Sequence, residues 1–252
     1  MIKFFRKIRF NLMSENKTGK YFKYAIGEII LVVIGILIAL TINNWNEERK
    51  EKTIVKNVLK DIRNDLVADT TVFSKQIERF PVFINNAKSI LNGNFSDTLS
   101  ANDLYFKLPY TVFNFKIRNQ SYEKILNTSI TDFFYFTELF NDINNYYTIN
   151  SNDFYQLTGW DYEDTLDDGK LWSAMNFEVD IYPDEFYEEK EIAFAQPEDT
   201  RKVVFLEQLK TPNMRNSIKN NIYRKMRLNE IFIITKQRAE DIIIKINEQL
   251  QE

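Results

Sequence analysis

The hydrophobic pattern separates a short N-terminal stretch from the rest of the chain. Residues 25–42 read AIGEIILVVIGILIALTI, eighteen positions with a single charge, Glu28. A helix of that length spans about 27 Å, close to the hydrocarbon thickness of a bilayer. A cleaved signal peptide would have a shorter apolar region and a small-residue cleavage site, and a buried core helix would be amphipathic. The pattern therefore predicts an uncleaved transmembrane helix over 25–42.

Two long amphipathic helices are predicted beyond this segment, one over 43–92 and one over 212–250. Pro81 is expected to kink or end the first, and Asn92-Gly93 to stop it. Pro212 suits the first turn of the second. Their apolar stripes are expected to pack against each other as an antiparallel pair. The stripes contain Val55, Leu59, Ile62, Leu66, Phe73, Ile77 and Phe80 in the first helix and Met214, Ile218, Ile222, Ile231, Phe232, Ala239, Ile242, Ile243, Ile246 and Leu250 in the second.

The region between these helices, residues 95–210, is rich in aromatic residues and less regular. Residues 121–149 predict two helices around a break near 127–131, while 153–200 is acidic and turn-prone and is expected to hold loops or a short hairpin. The predicted fold is mainly α, with one N-terminal transmembrane helix followed by an elongated helical bundle in a single domain over 43–252.

Charge distribution predicts the orientation in the membrane. Residues 1–42 carry a net charge of +5 and residues 43–252 a net charge of −8. Because basic flanks remain on the cytoplasmic side, the head at 1–24 is expected inside the cell and the C-terminal domain outside, with Trp45 as an interfacial anchor. An acidic outer domain argues against nucleic-acid binding.

The head itself has two interpretations. It forms either a short interfacial helix or an unstructured positive flank that only sets the topology. In the first case its basic side chains contact lipid headgroups, which makes membrane lipids a predicted partner. The basic side chains concerned are Lys3, Arg6, Lys7 and Arg9.

Several motifs resemble one family. Met1–Arg9 reads MIKFFRKIR, Tyr24–Ile29 reads YAIGEI, Leu31–Leu40 reads LVVIGILIAL and Ile42–Glu47 reads INNWNE. Together they resemble the opening of a family of small Gram-negative inner-membrane proteins of uncharacterised function. More weakly, SYEKIL at 121–126 and NDINNYY at 141–147 resemble it too, although the glycine common between those segments is missing here. The resemblance implies a single-pass anchor and a helical outer domain, and it implies no activity.

One face of the membrane segment is a candidate contact surface. Glu28, Val32, Gly35 and Ala39 recur at helical spacing. A charged side chain costs about 2.5–3.5 kcal/mol at the centre of a membrane helix and less near its end. Gly35 and Ala39 form a small-x-x-x-small pair, which permits close approach of another helix. The face therefore predicts contact with another membrane protein or a second copy, unless Glu28 is simply interfacial.

The remaining sequence contains few residues or motifs that indicate a catalytic, cofactor or metal site. The chain has no cysteine and no histidine, and the three glycines beyond residue 42 cannot form a P-loop or G-x-S-x-G motif. We therefore expect no enzyme and no cofactor. A run of carboxylates is a weak candidate metal site but fails the EF-hand pattern, and a solvated acidic loop is the simpler interpretation. The carboxylates are Asp161, Glu163, Asp164, Asp167 and Asp168.

The aromatic middle leaves a second functional class open. Its rings line either a ligand groove or, more simply, a hydrophobic core. The predicted function is thus a membrane-anchored periplasmic binding or scaffold protein of the bacterial inner membrane, with a periplasmic small-ligand sensor as the alternative and an envelope enzyme as a minority interpretation. The rings belong to Tyr105, Phe106, Tyr110, Phe113, Phe115, Phe133, Phe134, Tyr135 and Phe136.

Overall fold

A computed structural model of the chain describes residues 10, 18–113, 115–128, 133–176, 178–179 and 193–251. Within these residues all regular secondary structure is helical, which confirms the mainly α prediction. The chain divides into two units, Met1–Lys56 and Asn57–Glu252. The four basic head residues Lys3, Arg6, Lys7 and Arg9 lie outside the described part of the chain.

Seven α-helices, a 3₁₀ turn and a π-helical turn form the described structure. The longest helices, α1 and α7, stand at opposite ends of the sequence, and α5 is the longest of the helices between them. The elements are α1 Thr18–Leu91, α2 Ala101–Phe106, α3 Gln120–Leu126, the 3₁₀ turn Phe134–Phe136, α4 Thr137–Asn145, the π turn Tyr146–Asn150, α5 Ser151–Ser173, α6 Glu198–Gln208 and α7 Pro212–Gln251.

The unit Met1–Lys56 contains the apolar part of α1. Its most hydrophobic eighteen-residue window has a mean hydropathy of 2.8 and no residue buried against the protein. Ile29 and Leu31 are each 63% exposed, and Val32 is 57% exposed. By length and composition, this helix is a candidate membrane span. The structure has no boundary between the predicted segments 25–42 and 43–92, because α1 is continuous through both.

In the unit Asn57–Glu252, the C-terminal part of α1 lies antiparallel to α7. Arg63 donates a hydrogen bond to Asn247 at 3.2 Å, the Phe80 and Phe232 rings lie 5.2 Å apart, and Arg215 donates to the Leu91 carbonyl at 3.2 Å. The contacts run in opposite sequence order along the two helices. Both helices carry the predicted apolar stripes, and within this unit most stripe residues are buried, while Ile77, Ile243 and Leu250 are half-buried.

Pro81 was expected to kink or end the first long helix. Helix α1 does not end there, because it continues through Pro81 to Leu91. A proline inside a helix removes a backbone hydrogen bond and costs about 3 kcal/mol. Phe80, directly before the proline, and Ile84, three residues after it, are 0% and 8% exposed, so burial of their side chains stabilises the helix on both sides of Pro81. The helix ends at Leu91, and Gly93 follows with a φ of 70°, a conformation that favours glycine.

Helix α5 corrects the prediction of loops or a hairpin at 153–200, which is wrong for residues 153–173. Its inward face repeats at helical spacing but is largely polar, and therefore shows no hydrophobic period. A solvated acidic loop was the wrong interpretation for the same reason, since part of the acidic run faces the protein interior. The buried residues of α5 are Ser151, Phe154, Thr158, Asp161, Thr165, Asp168 and Trp172.

Candidate functional sites

The predicted membrane contact face lies on the exposed part of α1. Val32 is 57% exposed, Glu28 is half-buried, and a Cβ added at Gly35 would meet no atom within 4 Å. Trp45 is 64% exposed, and the Arg49 guanidinium lies 5.9 Å from the centre of its ring. The face is therefore accessible along its length, and Gly35 leaves space for another helix.

The acidic run forms ion pairs within the protein. Lys225 of α7 has a fully buried side chain, and its ammonium donates to both carboxylate oxygens of Asp161 at 2.8 and 2.7 Å. Arg224 contacts Asp164 at 3.3 Å and is also paired with Asp168. Burial lowers the pKa of Lys225, while the neighbouring Asp161 carboxylate opposes that shift.

Neutral side chains extend this buried network between α5 and α7. Asn221 donates to Asp168 at 3.0 Å and to Thr165 at 3.2 Å. Ser217 donates to Asp168 at 2.6 Å, and its hydroxyl lies 3.0 Å from that of Tyr110, which also accepts the Trp172 indole N–H at 2.7 Å. The network therefore connects three parts of the chain and satisfies most of its own polar groups.

The five predicted carboxylates do not converge as metal ligands. Asp161 and Asp168 face α7, Asp164 reaches Arg224 from the edge, and Asp167 pairs with Lys170 on the surface at 2.7 Å. Glu163 is exposed on another side of the helix. In the part of the chain that the structure describes, no group of three metal-ligating side chains is found. The cations of α7 occupy the positions around these carboxylates that a metal ion would need.

The aromatic residues of the middle region separate into two groups. Phe113 and Phe115 join a cluster of buried phenylalanines, with Phe80 to Phe113 at 4.8 Å and Phe73 to Phe115 at 5.0 Å between ring centres. Tyr105 and Tyr110 instead surround Trp172, at 6.0 and 6.5 Å. The two groups therefore pack on the core from its edge, since Phe113 is buried whereas Tyr105, Tyr110 and Phe115 are half-buried.

A polar cluster lies beside the phenylalanines. Asp69 is fully buried and accepts the Arg118 backbone N–H at 2.9 Å, and burial raises its pKa. Tyr146 and Tyr147, in the π turn, are buried with hydroxyls that have no hydrogen-bond partner among the described residues. Burial raises the pKa of both tyrosines, and the Asp69 carboxylate adds to the effect. π turns often occur at functional sites, and this one holds two unpaired donors close to a carboxylate.

A surface groove with a volume of about 490 Å³ lies between residues 113–119 and α5. Its wall includes the Tyr155 hydroxyl, which accepts the Ile117 backbone N–H at 2.8 Å. A ligand groove was one of the two interpretations of the aromatic middle, and Phe113 and Phe115 belong to the predicted rings, but the wall formed by α5 was not predicted. A further signal in the sequence is the alternation of Phe113, Phe115 and Ile117 with polar residues. The groove is lined by Phe113, Phe115, Lys116, Asn119, Tyr155, Thr158, Gly159, Tyr162 and Glu163.

Comparison with known proteins gives one match. No curated protein matches the chain. No solved structure matches it either. A family model described as a family of unknown function, DUF6090, matches residues 28–109. The matched region begins inside the apolar window of α1 and extends past α2, so it includes the predicted contact face but ends before the groove residues. Over about a third of its length, the chain is thus similar to a family of unknown function.

Proposed function

We propose that this protein is a single-pass protein of the bacterial inner membrane whose extracytoplasmic domain, residues 43–252, works by binding other proteins. The observation that carries the proposal is the apolar window of α1, in which no residue is buried against the protein. Contiguous apolar surface of this extent is rare on soluble monomers and marks contact with lipid or another protein. The basic residues that precede the window favour a cytoplasmic N-terminus.

Binding is favoured over catalysis by the state of the buried ionisable groups. Asp161 and Asp168 are paired with Lys225 and Arg224, and Asp69 is paired with Arg118. The oxygens of these carboxylates are occupied by cations of the protein itself, so they are not open to a substrate. A periplasmic ligand sensor remains the alternative, and the groove is the feature that favours it. That groove is open to solvent, whereas small-molecule sites enclose most of their ligand.

Membrane insertion and orientation can be tested by cysteine labelling, since the natural chain contains no cysteine. Single substitutions Lys17→Cys, before the apolar window, and Asn213→Cys, an exposed position in α7, would be expressed in intact cells. A membrane-impermeant maleimide should label Asn213→Cys directly and Lys17→Cys only after lysis. Extraction of the full chain by alkaline carbonate without detergent, or the reverse labelling pattern, would contradict the proposal.

We further propose that the face formed by Glu28, Val32, Gly35 and Ala39 contacts a membrane helix of a partner or of a second copy. A small residue permits close helix approach, so Gly35→Leu should separate the two helices. Glu28→Ala removes the one acidic side chain of the apolar window. Val33→Leu is the control, because a helix rotates about 100° per residue and position 33 lies nearly opposite position 35.

The readout is chemical cross-linking of the native protein in membranes, followed by purification in mild detergent. Complexes should weaken in Glu28→Ala and in Gly35→Leu and persist in Val33→Leu. Unchanged complexes in both face variants would remove the membrane contact from the proposal. They would leave the labelling result, and hence the membrane topology, intact.

A further inference from the structure

Arg49 of α1 is an exposed cation close to the end of the apolar segment 25–42. Within the described part of the chain, its guanidinium forms no ion pair. The acidic residues next to it are engaged with other cations, since Glu47 pairs with Lys50 at 3.2 Å and Glu48 pairs with Lys52 at 2.6 Å. The guanidinium of Arg49 is therefore available to an anion from outside the protein.

The contact with Trp45 shows in which direction this guanidinium points. Arg49 Cζ lies 5.9 Å from the centre of the Trp45 ring, and Trp45 is one helical turn nearer the N-terminus. Helical side chains lean toward the N-terminal end of their helix, so the guanidinium reaches back toward the apolar segment. An aromatic face attracts a guanidinium without accepting its N–H groups. Trp45 thus orients Arg49 and leaves its hydrogen-bond donors for a ligand.

The position of this pair along α1 matches the level of lipid phosphates. A bilayer of about 40–45 Å has a hydrocarbon core of about 30 Å, so each headgroup layer is roughly 5–8 Å thick. At a rise of about 1.5 Å per residue, Trp45 lies roughly 4–5 Å beyond Ile42, the end of the apolar segment. The Arg49 Cα atom lies about 10 Å beyond Ile42, but its guanidinium returns toward the level of Trp45. With the apolar segment in a bilayer, the guanidinium therefore lies in the headgroup layer.

Phosphate is the anion that this arrangement suits. A guanidinium presents its donors in a planar fork that matches two oxygens of a phosphate group. Tryptophan is enriched at the interface between membrane and water, where phospholipids place their phosphates. Trp45, which is 64% exposed, is rotated by about 110° around the helix from the centre of the contact face within residues 28–39. A helix bound to that face would therefore leave the Trp45 side of α1 to lipid.

We propose that Arg49 and Trp45 form a binding site for the phosphate group of a phospholipid, in the leaflet at the C-terminal end of the apolar segment. Arg49 supplies the charge and the donors, and Trp45 holds the guanidinium at the level of the phosphates. The inference rests on the proposed membrane insertion of α1. Its consequence is a fixed depth of α1 at this end, because a shift of one turn, about 5.4 Å, is as large as the headgroup layer is thick.

The test measures the distance between arginine and lipid phosphorus directly. The full chain, with ¹³C at its arginine Cζ atoms, would be placed in phosphatidylglycerol nanodiscs, and solid-state NMR would measure ¹³C–³¹P dephasing. A guanidinium paired with a phosphate group places Cζ roughly 4 Å from phosphorus. Arg49→Gln should remove part of the dephased signal, and Trp45→Leu should reduce it, since the guanidinium is then no longer held in place.

Arg63→Gln is the matched control. It removes another arginine of α1 by the same substitution, and Arg63 donates a hydrogen bond to Asn247 within the protein at 3.2 Å. The dephased signal should therefore stay unchanged in this variant. Circular dichroism would establish that all three variants fold.

A second readout uses a phospholipid with a photoreactive group on its headgroup. Irradiation should attach this lipid to residues 43–52, as mapped by mass spectrometry, and attachment there should fall severalfold in Arg49→Gln. The proposal is overturned if Arg49→Gln changes neither the dephasing nor the attachment, or if Arg63→Gln lowers the dephasing as much. It is also overturned if the protein in detergent contacts inorganic phosphate through Arg49 while the nanodisc lipid does not.

Failure of this proposal is distinguishable from failure of membrane insertion. The cysteine labelling and the carbonate extraction report insertion without involving Arg49. If both show that α1 is inserted and Arg49 is still remote from lipid phosphorus, only the phosphate site is wrong.

Discussion

Replacing Lys225 by methionine should destabilise the folded domain strongly. The substitution keeps the length of the side chain but removes the ammonium that lies 2.8 and 2.7 Å from the Asp161 oxygens. Both side chains are almost completely buried, at 0% and 2% exposure, so the variant would leave the Asp161 carboxyl group in the interior without its ammonium partner and with only Arg224 beside it at 3.6 Å. Breaking a buried ion pair by removing one partner costs about 3–5 kcal/mol.

For a domain of this size, 1 kcal/mol changes the melting temperature by about 2–4 °C, so the expected decrease is roughly 6–20 °C. Urea and thermal unfolding in detergent, followed by tryptophan fluorescence, would measure it, since Trp172 is buried in the same domain. Lys170→Met is the control, because its ion pair with Asp167 is exposed and worth at most about 1 kcal/mol.

Replacing both partners, as in Asp161→Leu with Lys225→Met, should cost less than Lys225→Met alone. The double variant leaves no carboxylate without its ammonium, and well-packed apolar replacements of buried pairs are often neutral or better. If Lys225→Met unfolds at the same urea concentration as Lys170→Met, the pair is not buried in the folded protein and the described network is wrong.

Three further predictions concern the same domain. Burial raises the pKa of Tyr110 and Tyr147 above the unfolded value of about 10, so both tyrosines contribute their full stabilisation below pH 10. Above that pH the free energy of unfolding should fall by up to about 1.4 kcal/mol per pH unit for each tyrosine. Urea unfolding at pH 9, 10 and 11 should show this fall, and Tyr147→Phe should make the free energy of unfolding depend less steeply on pH. Gly159→Ala should stabilise the protein by roughly 0.5–1 kcal/mol, whereas Gly93→Ala, at a φ of 70°, should destabilise it by about 1 kcal/mol, and equal effects in thermal unfolding would contradict the assigned backbone conformations. Trp172→Phe should lower the free energy of unfolding by about 1 kcal/mol or more through loss of the hydrogen bond to Tyr110, and an unchanged urea midpoint would show that this bond contributes nothing.

The long helices could be predicted because their sequences carry complete apolar stripes. Phe73 and Phe80 recur at helical spacing in the stripe of α1 and Phe232 lies in the stripe of α7, and all three are fully buried in the structure. The end of α1 could also be predicted from Asn92-Gly93, because Gly93 follows the helix in a backbone conformation suited to glycine. Local spacing and local turn chemistry are sufficient for features of this kind.

Helix α5 could not be predicted in the same way. Its inward positions include Asp161, Thr165 and Asp168, which have no apolar signature. They are tolerated inside only because Arg224 and Lys225, about sixty positions later, meet them across the interface between α5 and α7. A partner so distant in sequence cannot be inferred from a single chain without its fold, and the acidic run therefore looked like a surface loop.

The groove was one of the two interpretations of the aromatic middle, and its rings Phe113 and Phe115 were recognised. Its other wall could not be predicted, because residues 153–173 were expected to form loops or a hairpin and instead form α5.

The polar contacts between α5 and α7 also determine the registration of these two helices. Sliding α7 by one turn, about 5.4 Å, would bring Asn221 or Asn229 to the place of Lys225 and Leu228 to the place of Arg224. In either direction Asp161 would face an asparagine in the interior instead of the Lys225 ammonium, at a cost of several kcal/mol. An interface made only of apolar side chains would tolerate such a shift far better. This domain therefore resists the axial helix displacement by which some membrane proteins transmit a signal.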